Sequence, residues 1–72
     1  MEDKKAIAQA LSDTLKLTRQ YNDLLRLEYT VDGKGVDREE IVTAYFEHGH
    51  KTINVTWDSG AAMVRDIIRA LQ

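Results

Sequence analysis

The segment Leu25-Arg26-Leu27-Glu28-Tyr29-Thr30-Val31-Asp32 alternates apolar and polar side chains over its whole length. A period of two residues is typical of a β-strand with one face against a core and the other toward solvent. A stretch with helical spacing precedes this segment, and two further alternating segments follow it. The change of period at Leu25 therefore decides the fold class, which we expect to be α+β.

The stretch from Ala6 to Leu25 repeats apolar side chains at intervals of three and four, which predicts one long amphipathic helix. Its inward-facing stripe is expected to contain Ile7, Leu11, Thr14, Thr18, Tyr21 and Leu25, flanked by Ala10 and Leu17 on one side and by Leu15 on the other. Its polar face is expected to contain Gln9, Ser12, Asp13, Lys16, Arg19, Gln20 and Asp23. The spacing therefore predicts both the buried side and the solvent-facing side of this helix.

A second helix is predicted to start after Asp58 and Ser59, because both offer side-chain oxygens that can cap free backbone amides. Its apolar stripe is expected to contain Val64, Ile67, Ile68 and Leu71, with Ala61 and Met63 beside them. Arg69 falls in the last turn, where a cation suits the negative end of the helix dipole.

Two more strands are predicted, from Ile41 to Glu47 and from Thr52 to Trp57, joined by a hairpin at Gly49. With His48 and Gly49 at the centre of the turn, apolar residues face apolar residues across the two strands. The pairs are then Ala44 with Ile53, Val42 with Val55, and Phe46 with Lys51. An odd loop length would mix the two faces, so we predict a loop of two or four residues.

The predicted order is α-β-β-β-α, in one α+β domain that spans residues 1–72. Two helical stripes need a common surface, so we expect a three-stranded antiparallel meander with both helices packed on one face. The inward face of the sheet is expected to consist of Leu27, Tyr29, Val31, Val42, Ala44, Phe46, Ile53, Val55 and Trp57. A core this small supports a net stability of about 3 to 5 kcal/mol, so replacing Phe46 or Trp57 by alanine is expected to unfold the protein.

The composition disfavours several classes of function. Ten Lys and Arg against twelve Asp and Glu give a net charge of -2, which provides no pull toward nucleic acid. The chain has no cysteine, so it can form neither a disulfide nor a thiolate metal site. Because neither a signal peptide nor a membrane-spanning run is recognisable, we predict a cytoplasmic protein without membrane contact.

No pattern in the chain predicts catalysis, a cofactor or a metal. His48 and His50 flank Gly49, but a metal site needs more ligands than this turn offers. The start of the second helix at Ser59 lacks the lysine of a phosphate-binding loop. The carboxylates that precede the second strand are interpreted as a solvated run of charge: Asp37, Glu39 and Glu40. We therefore predict that the protein is not an enzyme.

The uncovered face of the predicted sheet is the most informative candidate site. By parity it contains Arg26, Glu28, Thr30, Ile41, Thr43, Tyr45, Thr52, Asn54 and Thr56. Such a face is either an ordinary solvated surface or a docking surface for a protein partner or a second copy. The best contact candidates are Tyr45 and Ile41, followed by Thr43, Asn54 and Arg26. An edge strand, the first or the third, could also accept a strand of another chain.

The α-β-β-β-α order resembles that of double-stranded RNA-binding domains, which also place two helices on one face of a three-stranded sheet. Nucleic-acid binding is the alternative function, because basic side chains could form a local strip despite the acidic total. Its expected contacts here are Lys4, Lys5, Lys16 and Arg19 on helix 1, and Lys34 in the glycine loop. However, that family has a basic start to its second helix and a histidine between its first two strands. Residues 58–65 contain no lysine, and residues 33–40 contain no histidine.

Overall fold

Two helices and three strands make up the part of the chain that the computed structural model describes, residues 3–72. The elements are α1 (Lys4–Leu15), β1 (Leu24–Asp32), β2 (Glu39–Phe46), β3 (Gly49–Asn54) and α2 (Gly60–Leu71). A short 3-10 helix, Gly35–Asp37, lies between β1 and β2. The strands form an antiparallel sheet in the order β1-β2-β3, so the predicted α-β-β-β-α meander is confirmed.

One hydrophobic core joins both helices to the same face of the sheet. Its apolar members are Ala8, Leu15, Tyr21, Leu24, Leu27, Val42, Ala44, Ile53, Val55, Met63 and Ile67. These residues come from α1, the three-strand region and α2, which confirms the predicted two-layer arrangement. The predicted start of α2 is also correct, since the side chain of Ser59 accepts a hydrogen bond from the amide of Ala62.

α1 is shorter than the sequence pattern predicts, because it ends at Leu15 rather than Leu25. The Thr18 hydroxyl donates to the carbonyl oxygen of Leu15 at 2.8 Å, and the Thr18 amide bonds to the same carbonyl. Such local bonds compete with continuation of a helix. Leu17 is 87% exposed as a result, while Tyr21 reaches the core from the connection that follows α1.

The face that α1 turns toward the sheet also differs from the prediction. Ala8, Ser12 and Leu15 are its buried residues, so the assignment of Ser12 to the polar face is wrong. The Ser12 hydroxyl accepts a hydrogen bond from the amide of Leu27 in β1 at 3.2 Å. Small side chains at positions 8 and 12 let the helix approach β1 closely, and the hydroxyl satisfies a buried amide.

A β-bulge sets which leucines of β1 point inward. The register shifts between Leu24 and Arg26, which inserts one extra residue into the strand. Leu24 and Leu27 are therefore both buried, and Leu25 is exposed. The predicted inward position of Leu25 is wrong for this reason.

The hairpin has the predicted even loop length, with Glu47 and His48 as its two loop residues. Its register differs from the predicted one by two residues, and the observed pairs are Val42 with Ile53, Ala44 with Lys51, and Phe46 with Gly49. A shift of two keeps every side chain on the same face. Lys51 then donates its ammonium group to the carbonyl oxygen of Ala70, at the C-terminal end of α2.

Trp57 and Val31 lie outside the core, although both were predicted to face inward. β3 ends at Asn54, whose side-chain oxygen accepts from the amide of Thr56 and turns the chain away from the sheet. Trp57 is consequently 69% exposed, with a φ of 71°. Thr56 also leaves the outer face, because its hydroxyl accepts a hydrogen bond from the Glu40 amide.

We expect Trp57→Gly to unfold at nearly the same urea concentration as the wild type, and to be about 1 kcal/mol more stable than Trp57→Ala. Glycine adopts a positive φ without the steric cost that alanine meets there. The contact between the Arg38 guanidinium and the indole ring, 5.2 Å to its centroid, is exposed and contributes little. Urea unfolding followed by circular dichroism measures both variants. Complete unfolding of Trp57→Gly would show that the indole is part of the core.

Candidate functional site

The five residues predicted to bind a partner all lie on the outer face of the sheet, which the helices leave open. The strand register forms three rows across this face: Arg26-Tyr45-His50, Glu28-Thr43-Thr52 and Thr30-Ile41-Asn54. Ile41, Thr43 and Tyr45 on the central strand are half-buried by their neighbours, and the flanking residues are exposed. The outer face, defined by these nine residues, is thus a continuous surface.

Tyr45 is held by contacts from both neighbouring strands. The Arg26 guanidinium carbon lies 4.1 Å from the centroid of the Tyr45 ring, within range of a cation–π interaction. The His50 ring lies on the other side, with its centroid 6.1 Å from that of Tyr45. Arg26 also places its Nε 3.3 Å from a carboxylate oxygen of Glu28. An aromatic ring fixed in this way loses little side-chain entropy on binding.

The basic residues of the nucleic-acid alternative do not form one strip along helix 1. Lys16 is the C-terminal cap of α1, and Arg19 lies in the connection beyond it. Lys5 is exposed near the start of α1, and Lys34 is exposed in the loop before the 3-10 helix. Lys4 is bound to a carboxylate, so its charge is already compensated.

That carboxylate is Glu40, which forms the centre of a second candidate site on the inner side of β2. Glu40 is only 4% exposed. One side-chain oxygen, Oε1, accepts from the Lys4 ammonium at 2.8 Å and from the Tyr29 hydroxyl at 2.5 Å. The other, Oε2, lies 3.5 Å from Nε of Arg38. The carboxylate therefore joins α1, β1 and β2.

Hydrogen bonds and burial together shift the pKa values of Glu40 and Tyr29 in this network. The bond from Lys4, supported by the one from Tyr29, lowers the pKa of Glu40 from 4.5 to about 2. Burial, followed by the bond to Glu40, raises the pKa of Tyr29 from 10.0 to about 12. Near neutral pH, Glu40 stays ionised and Tyr29 stays protonated, which suits a structural network rather than proton transfer.

Glu40 was interpreted from the sequence as part of an exposed charged run, and this interpretation is wrong. The signal that could have found it is parity. Glu40 lies two and four residues before Val42 and Ala44, which face the core, so the alternation of β2 places it on the same side.

Asp58 lines the same cleft as Glu40 and interacts with a second carboxyl group, that of Asp66. The hydrogen bond between Asp58 and Asp66, together with burial, raises the pKa of Asp58 and lowers that of Asp66. Asp58 Oδ2 and Glu40 Oε2 are buried and have no hydrogen-bond partner among the described residues. Both residues line a cleft of about 690 Å³ together with Asp3, Lys4, Lys5, Tyr29, Val31 and Arg38.

The two histidines occupy different surroundings. His48 is a loop residue of the hairpin, and His50 contacts Tyr45 on the outer face. Within residues 3–72, no group of three histidine, aspartate or glutamate side chains is arranged to hold a metal ion.

Comparisons of the chain with protein-family models, with curated proteins and with solved structures gave no match. In the described part of the chain, no helix combines the length and the apolar character needed to cross a membrane.

Proposed function

We propose that the protein is a small, non-enzymatic interaction module that associates with a second copy of itself through the outer face of its sheet. The observation that supports this is the central strand of that face, where Tyr45, Thr43 and Ile41 are half-buried and not covered by either helix. Aromatic residues are enriched at the centres of protein interfaces.

The charges on the outer face are complementary to those of the same face on a second copy. Arg26 and Glu28 are its only formally charged residues, and they lie in adjacent rows of β1. A two-fold axis can lie in the interface, parallel to the sheet, perpendicular to the strands and between these two rows. This axis places Arg26 of one copy opposite Glu28 of the other, and Tyr45 opposite Thr43. Isologous contacts of this kind are self-complementary.

The area available makes the association weak. Three strands about 4.8 Å apart and about five residues long at 3.3 Å per residue offer roughly 250 Å² of flat surface. Stable interfaces bury about 800 Å² on each partner. We therefore expect a dimer that forms only at high protein concentration.

Sedimentation up to about 1 mM protein tests this proposal, because weak dimers populate only near that range. The wild type is expected to rise in average mass above its 8.2 kDa monomer as concentration increases. Tyr45→Asp, which adds a charge at the centre of the outer face, is expected to remain monomeric. Leu17→Asp adds the same charge at an exposed position of the connection and is expected to behave as the wild type. A wild type that stays monomeric throughout overturns the proposal.

The non-enzymatic character is proposed because the Glu40 carboxylate, the centre of the buried polar network, is already bound by Lys4 and Tyr29 and acts there as a structural group. The cytoplasmic location and the nucleic-acid alternative stay predictions. Binding of labelled single- and double-stranded oligonucleotides at low salt would favour the alternative, since phosphate contacts weaken steeply as salt rises.

A further inference from the structure

β1 forms one edge of the sheet, and the direction of its backbone groups follows from hydrogen bonds on the neighbouring strands. The Val55 amide donates to the Glu40 carbonyl at 2.8 Å, so the backbone groups of Glu40 face β3. Backbone groups alternate in direction along a strand, and those of Ile41 and Thr43 therefore face β1. Their partners in the register, Thr30 and Glu28, bond to β2.

The remaining residues of β1 direct their backbone groups away from the sheet. Leu27 shows this directly, because its amide donates to Ser12 of α1 rather than to β2. By the same alternation, Tyr29 and Val31 each point one N–H and one C=O outward. Ser12 covers the edge at Leu27, and the bulge at Leu24 disrupts its beginning. The open part of the edge is thus short and runs from Tyr29 to Val31.

This open edge lies in a groove between β1 and α1. The cleft of about 690 Å³ and a second cleft of about 430 Å³ both include Lys5 and Tyr29, so the two are adjacent along the strand. Lys5 and Gln9 of α1 line the wall of the second cleft opposite Tyr29. Val31 lines the first cleft and is 53% exposed. The groove therefore combines backbone donors and acceptors with an apolar side chain and a cation.

We propose that the β1 edge from Tyr29 to Val31 binds an extended, acidic segment of a partner protein as a fourth strand of the sheet. Two outward-facing residues with one N–H and one C=O each can form four main-chain hydrogen bonds with such a segment. The bound segment would meet the outer face only at its margin, where Arg26, Glu28 and Thr30 of β1 also line the second cleft. Its main-chain bonds come from Tyr29 and Val31, so this inference does not depend on the proposed self-association.

The cation of the groove without an ion pair selects an acidic segment. Of the other charged residues that line the two clefts, Glu28 is paired with Arg26, Arg38 lies beside Glu40, and Asp58 is bonded to Asp66. The Lys4 ammonium is bound to Glu40, and the Asp3 side chain accepts from the Ala6 amide at the start of α1. Lys5 has no ion pair among the described residues and lines both clefts. A carboxylate of the bound segment, on the side that faces α1, would lie near the Lys5 ammonium.

The same cation argues against a second copy at this edge. Lys5 lies beside the open stretch of β1, so two copies paired edge to edge would bring two α1 helices and two Lys5 ammonium groups together. Like charges brought together at an interface cost binding free energy. An acidic segment brings a carboxylate to Lys5 in place of a second cation.

The test uses two dye-labelled seven-residue peptides, one alternating valine with aspartate and one alternating valine with lysine. Fluorescence anisotropy is expected to show the acidic peptide binding at least about tenfold more tightly than the basic one. Lys5→Glu is expected to reduce or reverse this preference. Tyr45→Asp is expected to leave it unchanged, which separates this inference from the proposed function. Equal binding of the two peptides, or no binding of the acidic one, overturns it.

The Val31→Pro variant tests whether the outward backbone N–H of residue 31 takes part in binding. Val31→Pro removes an outward N–H and leaves the bonds between β1 and β2 in place, which an edge strand tolerates. It is expected to weaken binding of the acidic peptide at least about tenfold, whereas Val31→Ala keeps the N–H and changes binding by no more than about threefold. Unchanged binding to a folded Val31→Pro protein contradicts the proposal.

Amide hydrogen exchange gives a readout on the wild type that does not depend on any variant folding. The amides of Tyr29 and Val31 are expected to exchange fast in the free protein and slowly with the acidic peptide, while that of Thr30 is slow in both states. Slow exchange at Tyr29 and Val31 that depends on protein concentration without peptide would assign the edge to a second copy instead, and would overturn the proposal.

Discussion

Replacing Ile67 by alanine is expected to remove most of the free energy of unfolding at 25 °C. Ile67 lies in α2 and is fully buried in the core, together with Met63 of the same helix and Val42 of β2. Removal of a buried isoleucine side chain costs about 2 to 5 kcal/mol, from the lost transfer free energy and the cavity left behind. A domain of this size has only about 3 to 5 kcal/mol in total. Far-ultraviolet circular dichroism with urea titration measures the loss.

The matched control removes an equivalent side chain from the surface. Leu17→Ala is expected to change the free energy of unfolding by less than about 0.5 kcal/mol, because Leu17 is 87% exposed. A loss below about 1 kcal/mol for Ile67→Ala would mean that α2 does not pack on the sheet as described.

The sheet was predictable because the pleat has a fixed period of two and its two faces differ in exposure to water. On β2 this places Val42 and Ala44 inward and Thr43 and Tyr45 outward, as observed. The same argument predicted an even loop length. It could not choose between hairpin registers that differ by two residues, since both keep all side chains on the same faces.

The end of α1 was not predictable from hydrophobic spacing. Leu17, Thr18 and Tyr21 continue the helical spacing beyond Leu15, although the backbone there has already turned. Beyond Leu15 the chain continues in turns that a hydroxyl-to-carbonyl bond from Thr18 stabilises, and such a bond leaves no trace in a pattern of apolar residues. The bulge at Leu24 is a second local feature of this kind, and it explains why Leu25 is exposed.

The outer face could be predicted from the sequence more fully than the Glu40 site. Parity places the five predicted contact residues together on the outer face, as observed, although Thr56 leaves this face and His50 joins it. Glu40 needed two inferences at once, its inward parity and a compensating cation. Lys4 is 36 residues away in sequence, and only the packing of α1 against the sheet brings the two together.

Replacing Glu40 by glutamine is expected to destabilise the protein by about 3 kcal/mol at pH 7. The amide keeps the shape of the side chain and still accepts the Tyr29 hydroxyl, so little packing is lost. The Lys4 ammonium, whose side chain is 13% exposed, loses its counter-charge. A buried charge left without its partner is costly because it has given up most of its hydration. Urea unfolding compares the variant with the wild type.

The pH dependence of this difference distinguishes a charge effect from a packing effect. The pKa of Glu40 falls from 4.5 to about 2 on folding, so the unfolded chain takes up a proton first as the solution is acidified. The stabilisation from the carboxylate is therefore fully present above pH 4.5 and is lost as pH falls toward 2. The gap in unfolding free energy between wild type and Glu40→Gln is expected to close over this range. Glu39→Gln, a neutralised carboxylate at the exposed neighbouring position, is expected to show almost no gap at any pH. A Glu40→Gln gap that stays constant from pH 7 to pH 2 would place the destabilisation in packing rather than in the ion pair with Lys4.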